Sequence, residues 1–308
     1  MILGAESATQ DLAAFNRTRL SRAMAAGYRR RKIVNVLMCC VLACAAALAL
    51  VPLLSVFQYV LEQGLPALNW SFFTELPKPV GEAGGGMANA LVGTLVLVAI
   101  ASMIGIPWGI GTALFLSEYG GKSRSASAIR FCVDILASIP SIVIGLFAYA
   151  VVVLPMRHFS AYAGGLALGV LMVPTVARSS EELLKLVPTH IREAGLALGL
   201  PRWKVSLKIV LRGALSGIST GVILAVARVA GETAPLLFTA LNNRFWAHGL
   251  DQPIASLPVQ IYTYAISPYD DWHRQAWAGA LVLVALVFFV NLATRLLLQP
   301  LARSGSRD

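Results

Sequence analysis

The sequence predicts an all-α integral membrane protein with six transmembrane helices, and two observations predict it. Apolar residues fill 57% of the 308 positions and charged residues only 13%, about half the charge of an average soluble domain, and the mean hydropathy is +0.72. Apolar runs at 33–57, 87–117, 131–154, 161–184, 213–241 and 277–298 each reach the roughly 20 residues that a helix needs to cross a bilayer core. No window alternates apolar and polar residues as a barrel strand does, so the runs read as helices.

The elements follow in order. Residues 1–32 carry no basic residue before Arg17 and then RTRLSRAMAAGYRRRK, which fits neither a cleavable signal nor a folded domain and reads as a solvated, partly helical tail. The run 33–57 is an extra first span. The 58–86 segment ends in Gly84, Gly85 and Gly86, and 242–276 is a second long loop; both are long enough to dock an external protein. Their Trp70, Phe72, Phe73, Trp246 and Trp272 serve equally well as interfacial belt residues. Basic residues crowd ahead of the first run, at Lys122, Arg124 and Arg130, along 185–212 and at the carboxyl end, whereas the opposite side holds Lys78, Arg157, Arg244 and Arg274. Because positive flanks stay cytoplasmic, both termini are expected inside.

Several function classes are excluded. The net charge of +10 flanks the membrane and has no stacking aromatics interleaved with it, so no nucleic-acid partner is expected. Cys39, Cys40, Cys44 and Cys132 fall in the runs without zinc-ligand spacing, so they read as small hydrophobes and no metal site is expected. Gly121, Lys122 and Ser123 imitate the end of a phosphate-binding loop, but the leading glycine of that motif would stand at Leu116. The chain therefore reads as a transport subunit, not an enzyme, with any ATP bound by another subunit.

Charges inside apolar runs mark candidate sites, since an arginine at mid-bilayer costs about 2.5–3.5 kcal/mol on insertion scales. Arg228 is expected near the middle of 213–241, with Gly217, Gly221, Leu224, Glu232 and Pro235 on one helical stripe. Two readings stand: Arg228 and Glu232 form a structural ion pair, or Arg228 offers paired donors to a passing oxyanion while Glu232 holds it between substrates. Arg178 lies nearer the inner end of its run, above Pro174, where it either snorkels, pairs with Glu181 or Glu182, or joins the anion path. Asp134 and Arg130 are spaced for a helix-end pair. Glycines four apart, at Gly105 and Gly109, Gly165 and Gly169, and Gly213, Gly217 and Gly221, let helix backbones approach closely.

Between two runs lies the basic insert 188–212, PTHIREAGLALGLPRWKVSLKIVLR, which reads as helix, turn, helix. Thr189 is positioned to cap the first helix, Gly199 and Pro201 to end it, and a second helix from Trp203 to run into the next span. Glu193, Leu196 and Leu200 form a ridge, either a membrane-surface helix or a docking helix for a soluble partner.

At these residues the chain resembles the membrane subunits of binding-protein-dependent ABC importers, whose cytoplasmic loop reads E-A-A, three residues, G, nine residues, I-x-L-P. Glu193, Ala194, Gly199, Ile209 and Leu211 match in register, Gly195 replaces the second Ala, and Arg212 stands where Pro is usual. LASIPSIVIGLF (136–147), VPTVARSSEELLKLVP (173–188), ARVAGETAPLLFTALNNRFW (227–246) and QPIASLPVQIYTYAISP (252–268) are similar to the PstA permeases of Pst-type phosphate importers. The resemblance implies a type I ABC importer permease fold with a five-helix core at 87–299, a cytoplasmic coupling helix and a tail at 300–308. Glu193, Ala194, Leu196 and Gly199 would couple to the ATPase, and Arg228, Glu232 and Arg178 would line the path. It implies inorganic phosphate as substrate, a bacterial inner membrane with its lipid around the chain, and three partners: a PstC-like second permease, a PstB-like ATPase dimer holding ATP and Mg, and a periplasmic PstS-like phosphate-binding protein. No cofactor is expected in this chain. Sulfate, molybdate or phosphonate as cargo, and a self-contained ion-coupled carrier, remain as alternatives; a carrier has no use for a docking helix.

Overall fold

The computed structural model describes residues 3–304 except 80, 81, 83 and 122; Lys122 of the rejected phosphate-loop tripeptide and the ends of the predicted 1–32 and 300–308 tails lie outside the described residues. The chain divides into two compact units, residues 1–59 and 60–308. The first unit is formed by α1 (Leu3–Gly64), whose last residues belong to the second.

In the second unit a short turn leads to α2 (Trp70–Thr74), started by Asn69, whose side-chain oxygen accepts from the Phe72 N–H at 2.9 Å. Next, α3 (Ala88–Leu114) continues through a π-helical turn, Phe115–Tyr119. Ser123 caps α4 (Arg124–Ser138); α5 (Ser141–Ala148) passes through a π-helical stretch into α6 (Leu154–Met156). Ser160 caps α7 (Ala161–Lys185), accepting from the Ala163 N–H at 3.2 Å. The insert supplies α8 (Thr189–Ala197) and α9 (Arg202–Lys204), and a π-helical stretch, Val205–Val210, joins α9 to α10 (Leu211–Ala230). The chain then forms α11 (Ala234–Leu237), α12 (Leu257–Ala265) and α13 (Asp270–Ser304). Every regular element among the described residues is helical.

Five helical stretches are long and apolar enough to cross a membrane: Arg31–Ala67, Ala88–Tyr119, Ala161–Lys185, Arg202–Ala230 and Asp270–Leu292. The sixth, expected as one span over 131–154, is instead a pair, Arg124–Ser138 and Ser141–Met156, bent by 103°. Pro140 explains the bend. The residue before a proline is pushed out of the helical region, and Ile139 adopts φ −67°, ψ 131°.

The run 213–241 is also not one helix. Its helix begins at Arg202 and ends at Ala230, where Gly231 caps it. Pro235 then opens α11, the position in a helix where a missing N–H costs nothing. Arg228 therefore lies in the last turn of α10 rather than mid-span, and the stripe that was to carry it on to Glu232 and Pro235 stops short of both.

Packing rests on small residues, as expected where lipid removes the hydrophobic drive between helices. Helices α3 and α7 lie side by side in the same direction. A Cβ on Gly105 or Gly109 would sit 2.7 Å from Met172 Cβ or 2.6 Å from Val176 Cβ, and one on Gly165 or Gly169 would sit 2.3 Å from Ile100 Cγ2 or 3.1 Å from Ile104 Cβ. Gly217 and Gly221 of α10 meet Leu183 and Ser179 of α7 in the same way, whereas a Cβ on Gly213 would meet no neighbouring group within 4 Å.

The 242–276 loop, expected as a docking surface, is partly core. Ile254, Ala255, Leu257, Val259 and Gln260 are buried, held because the Leu257 N–H donates to Thr94 Oγ1 at 2.8 Å and Asn89 Nδ2 donates to the Asn243 carbonyl at 2.6 Å. Phe72 is buried and Trp272 stacks on Tyr264 with centroids 4.5 Å apart, while Trp70, Phe73 and Trp246 are exposed.

Candidate functional site

The bend at Pro140 faces the end of α10. Together they enclose a cavity of about 220 Å³ lined by Ser138, Pro140, Ser141, Thr175, Arg228 and Glu232, among others. Pro174 of α7 also borders it, bringing in a residue with no backbone N–H to donate to its own helix. Three hydroxyls, one guanidinium and one carboxylate thus converge where two helices are interrupted, and interrupted backbone is tolerated at membrane depth where it lines a cavity.

What Arg228 does not do is as informative as where it lies. Among the described residues no ion pair joins it to Glu232 or to any other acid. The i,i+4 pairing read from the sequence fails because the helix ends at Ala230, between the two. A guanidinium without a counterion, on a cavity edged by hydroxyls, can accept a small oxyanion through two parallel N–H donors. Glu232 lines the same cavity.

Arg178 is placed differently. Its Nη2 lies 2.7 Å from Asp134 Oδ1, linking α7 to α4, and it is not among the residues lining the cavity. Among the described residues, the Arg130–Asp134 pair and the Arg178 pairs with Glu181 or Glu182 are not formed. Arg130 Nε instead donates to Glu181 Oε1 at 2.9 Å, and Lys185 Nζ lies 2.7 Å from the same oxygen. The nearly solvent-free Glu181 is the better partner, because charges attract more strongly where water is excluded.

On the insert, Glu193, Ala194, Leu196 and Gly199 are exposed while Gly195 is buried. A Cβ on Gly195 would lie 2.9 Å from Ile209 Cδ1 and 3.1 Å from Val205 Cγ2, so glycine in place of the motif's second alanine seats α8 tightly on the base of α10. Gly199 ends the helix with φ +77°, and the Gly199 and Leu200 N–H groups donate to the Leu196 and Gly195 carbonyls at 2.9 and 3.3 Å, a Schellman closure. Two expectations are corrected. Pro188, not Thr189, precedes the first turn, without a side-chain cap, because the proline already holds the extended conformation an N-cap needs. Leu200 is half-buried in the cluster with Val205 and Val210, off the exposed ridge.

One contact escaped the sequence reading. The Arg192 guanidinium donates to both carboxylate oxygens of Glu118 at 2.9–3.1 Å, to the Leu184 carbonyl at 2.8 Å, and to the Val187 carbonyl. A lone acid just past the apolar run 87–117 was the available signal; its partner is 74 residues away.

Comparison with known proteins identifies the family and the fold. The family model for binding-protein-dependent transport system inner membrane components matches residues 105–303. The chain is 49% identical over 235 residues to the phosphate transport system permease protein PstA of Yersinia pestis, covering 76% of this chain and 80% of that one. It is 43% identical over 272 residues to PstA of Xylella fastidiosa strain Temecula1, covering 88% and 94%. Among solved structures, it shares its fold with a chain of the MetNI methionine ABC transporter captured in inward-facing conformations, at TM-score 0.55 and 20% identity over 69% of this chain and 93% of that one.

Proposed function

Because the chain belongs to the family of binding-protein-dependent transport system inner membrane components, within the PstA permeases, we propose that it is the permease subunit of an ATP-driven importer of inorganic phosphate. The observation that carries the reading is the unpaired Arg228 guanidinium on the cavity at the Pro140 bend. Arg228 offers the passing phosphate two donors, Ser138, Ser141 and Thr175 supply hydroxyls, and Glu232 limits residence. Arg178, tied to Asp134, sets the approach of α4 to α7 rather than binding the anion.

In this reading the core at 87–299, preceded by the extra span at 33–57, pairs with a related PstC-like permease, and the path runs between them. Both termini and α8 are cytoplasmic. Glu193, Ala194, Leu196 and Gly199 fit against a PstB-like ATPase dimer that holds the ATP and Mg, and a PstS-like binding protein delivers phosphate from the outside. Selection of the ion rests largely with that binding protein, since a conducting site must also release its ligand.

The test is phosphate uptake by the reconstituted importer. Arg228→Gln should lower uptake by about tenfold or more, and Arg228→Lys, which keeps charge but not the planar fork, should recover only part of it. Normal uptake by an Arg228→Gln importer assembled at normal level sinks the assignment. Competition by sulfate or molybdate in the same vesicles tests the choice of ion.

A further inference from the structure

The docking helix touches the rest of the permease in two ways. Its buried face, at Gly195, rests on Val205 and Ile209 at the base of α10. Its other attachment is Arg192, and that one is polar and largely shielded, with side-chain exposures of 20% for Arg192 and 9% for Glu118. We propose that Arg192 is a positioning residue that locks α8 to the cytoplasmic end of α3, so that motion imposed on α8 reaches the Pro140 cavity through the π-helical turn Phe115–Tyr119 and α4. This rests on α8 being where the ATPase engages.

The geometry gives the lock its direction. Arg192 spends its donors on three separate places: the carboxylate of Glu118 in the π-helical turn, and the Leu184 and Val187 carbonyls at the end of α7. The last carbonyls of a helix lack intrahelical partners and carry the negative end of its dipole, so a cation is held there from two sides. Glu118 is in turn fixed by Ser117 Oγ, which donates to it at 2.9 Å.

The same turn is gripped from the other side. Arg130 of α4 donates to the Leu116 carbonyl at 3.0 Å and to Glu181 of α7 at 2.9 Å. The turn Phe115–Tyr119 is wider than an α-helix, closed by the Gly120 N–H to the Phe115 carbonyl at 2.7 Å, and such π-helical turns are frequent at functional sites. The Arg192–Glu118 and Arg130–Leu116 contacts therefore grip one and the same π-helical turn, which links α8 to α4. Helix α4 carries the link on to Ser138, at the bend that lines the cavity with Arg228. The alternative route, from Gly195 straight into α10, bypasses every one of these groups.

The experiment uses the whole importer in proteoliposomes, with ATP hydrolysis and phosphate uptake read from the same vesicles. Arg192→Lys, whose ammonium cannot reproduce the fork on Glu118, should leave ATP hydrolysis within about twofold while phosphate moved per ATP falls by about tenfold, within the usual range of coupling between sites. Glu118→Gln should do the same while leaving the Leu184 and Val187 contacts to seat α8, and it carries the test if Arg192 variants fail to assemble. Combining Arg192→Gln with Glu118→Gln should be no worse than Arg192→Gln alone, since the link to Glu118 is already broken in that single variant. Unchanged phosphate per ATP, or losses that multiply in the double variant, overturn the lock. Docking is read separately: an importer that keeps its ATPase and full uptake with Glu193→Arg and Leu196→Arg together overturns docking and the lock with it.

Discussion

Gly145 tests how the cavity is held open to the right width. It lies in α5, just past the Pro140 bend, and a Cβ built on it would sit 2.6 Å from Pro235 Cα in α11. That is about 0.8 Å short of the 3.4 Å at which ordinary contact begins. The obstructing atom is backbone, so no rotamer change relieves it, and Pro235 and Leu236 are themselves buried. Gly145→Ala must therefore push α5 and α11 apart by most of an ångström, and Glu232, three residues ahead of Pro235, moves with them. Overpacking of this kind costs about 1–3 kcal/mol, partly offset by the roughly 0.8–1.0 kcal/mol that alanine gains over glycine inside a helix. The net loss of about 1 kcal/mol predicts a melting temperature lower by about 2 °C for a chain of this size. Uptake should fall more than stability does, because a site displaced by about 1 Å loses its aligned contacts. Thermal unfolding of the purified importer and initial uptake rates measure the two. A Gly145→Ala importer that is as stable and as active as the parent refutes the claim that this close approach sets the cavity.

Three further substitutions probe the scaffold around the site. Thr94→Val removes the acceptor of the buried Leu257 N–H and should cost about 1–3 kcal/mol, the penalty of an orphaned buried donor; an unchanged melting temperature contradicts it. Gly109→Ala and Gly213→Ala should shift stability in opposite directions, since the first places a Cβ 2.6 Å from Val176 Cβ and the second meets nothing within 4 Å and gains only helix propensity. Shifts of the same sign in thermal unfolding refute the packing argument.

Much of the scaffold was legible because it depends on local chemistry. The paired glycines of α3 and α7 sit at the crossing they imply, and Gly199 ends α8 as a glycine with positive φ. What the apolar runs concealed was direction: hydropathy measures composition, and 131–154 or 213–241 remains apolar whether the chain goes straight or turns. The turning signals were present, Pro140 after Ile139 and Gly231 before Pro235, but each was subordinate to run length. The charged network was illegible for a different reason. Arg130, Asp134 and Arg178 were matched to neighbours one turn away, whereas their actual partners come from other helices, and spacing in one sequence carries no information about those.

The charges sort into two kinds once their partners are known. Arg130, Arg178 and Arg192 each meet a carboxylate on another element, so each draws helices together and is neutralised in doing so. Among the described residues Arg228 has no such partner, and it borders a cavity. An arginine is expensive in a membrane unless something compensates it, and a permanent counterion would make it a structural tie like the other three. On the proposed function a transient anion would supply the compensation: the site would be incomplete when empty and satisfied by a passing oxyanion. On that proposal the break at Gly231 has a role, because an unbroken helix through residue 232 would have placed Glu232 one turn above Arg228, within reach of a pair.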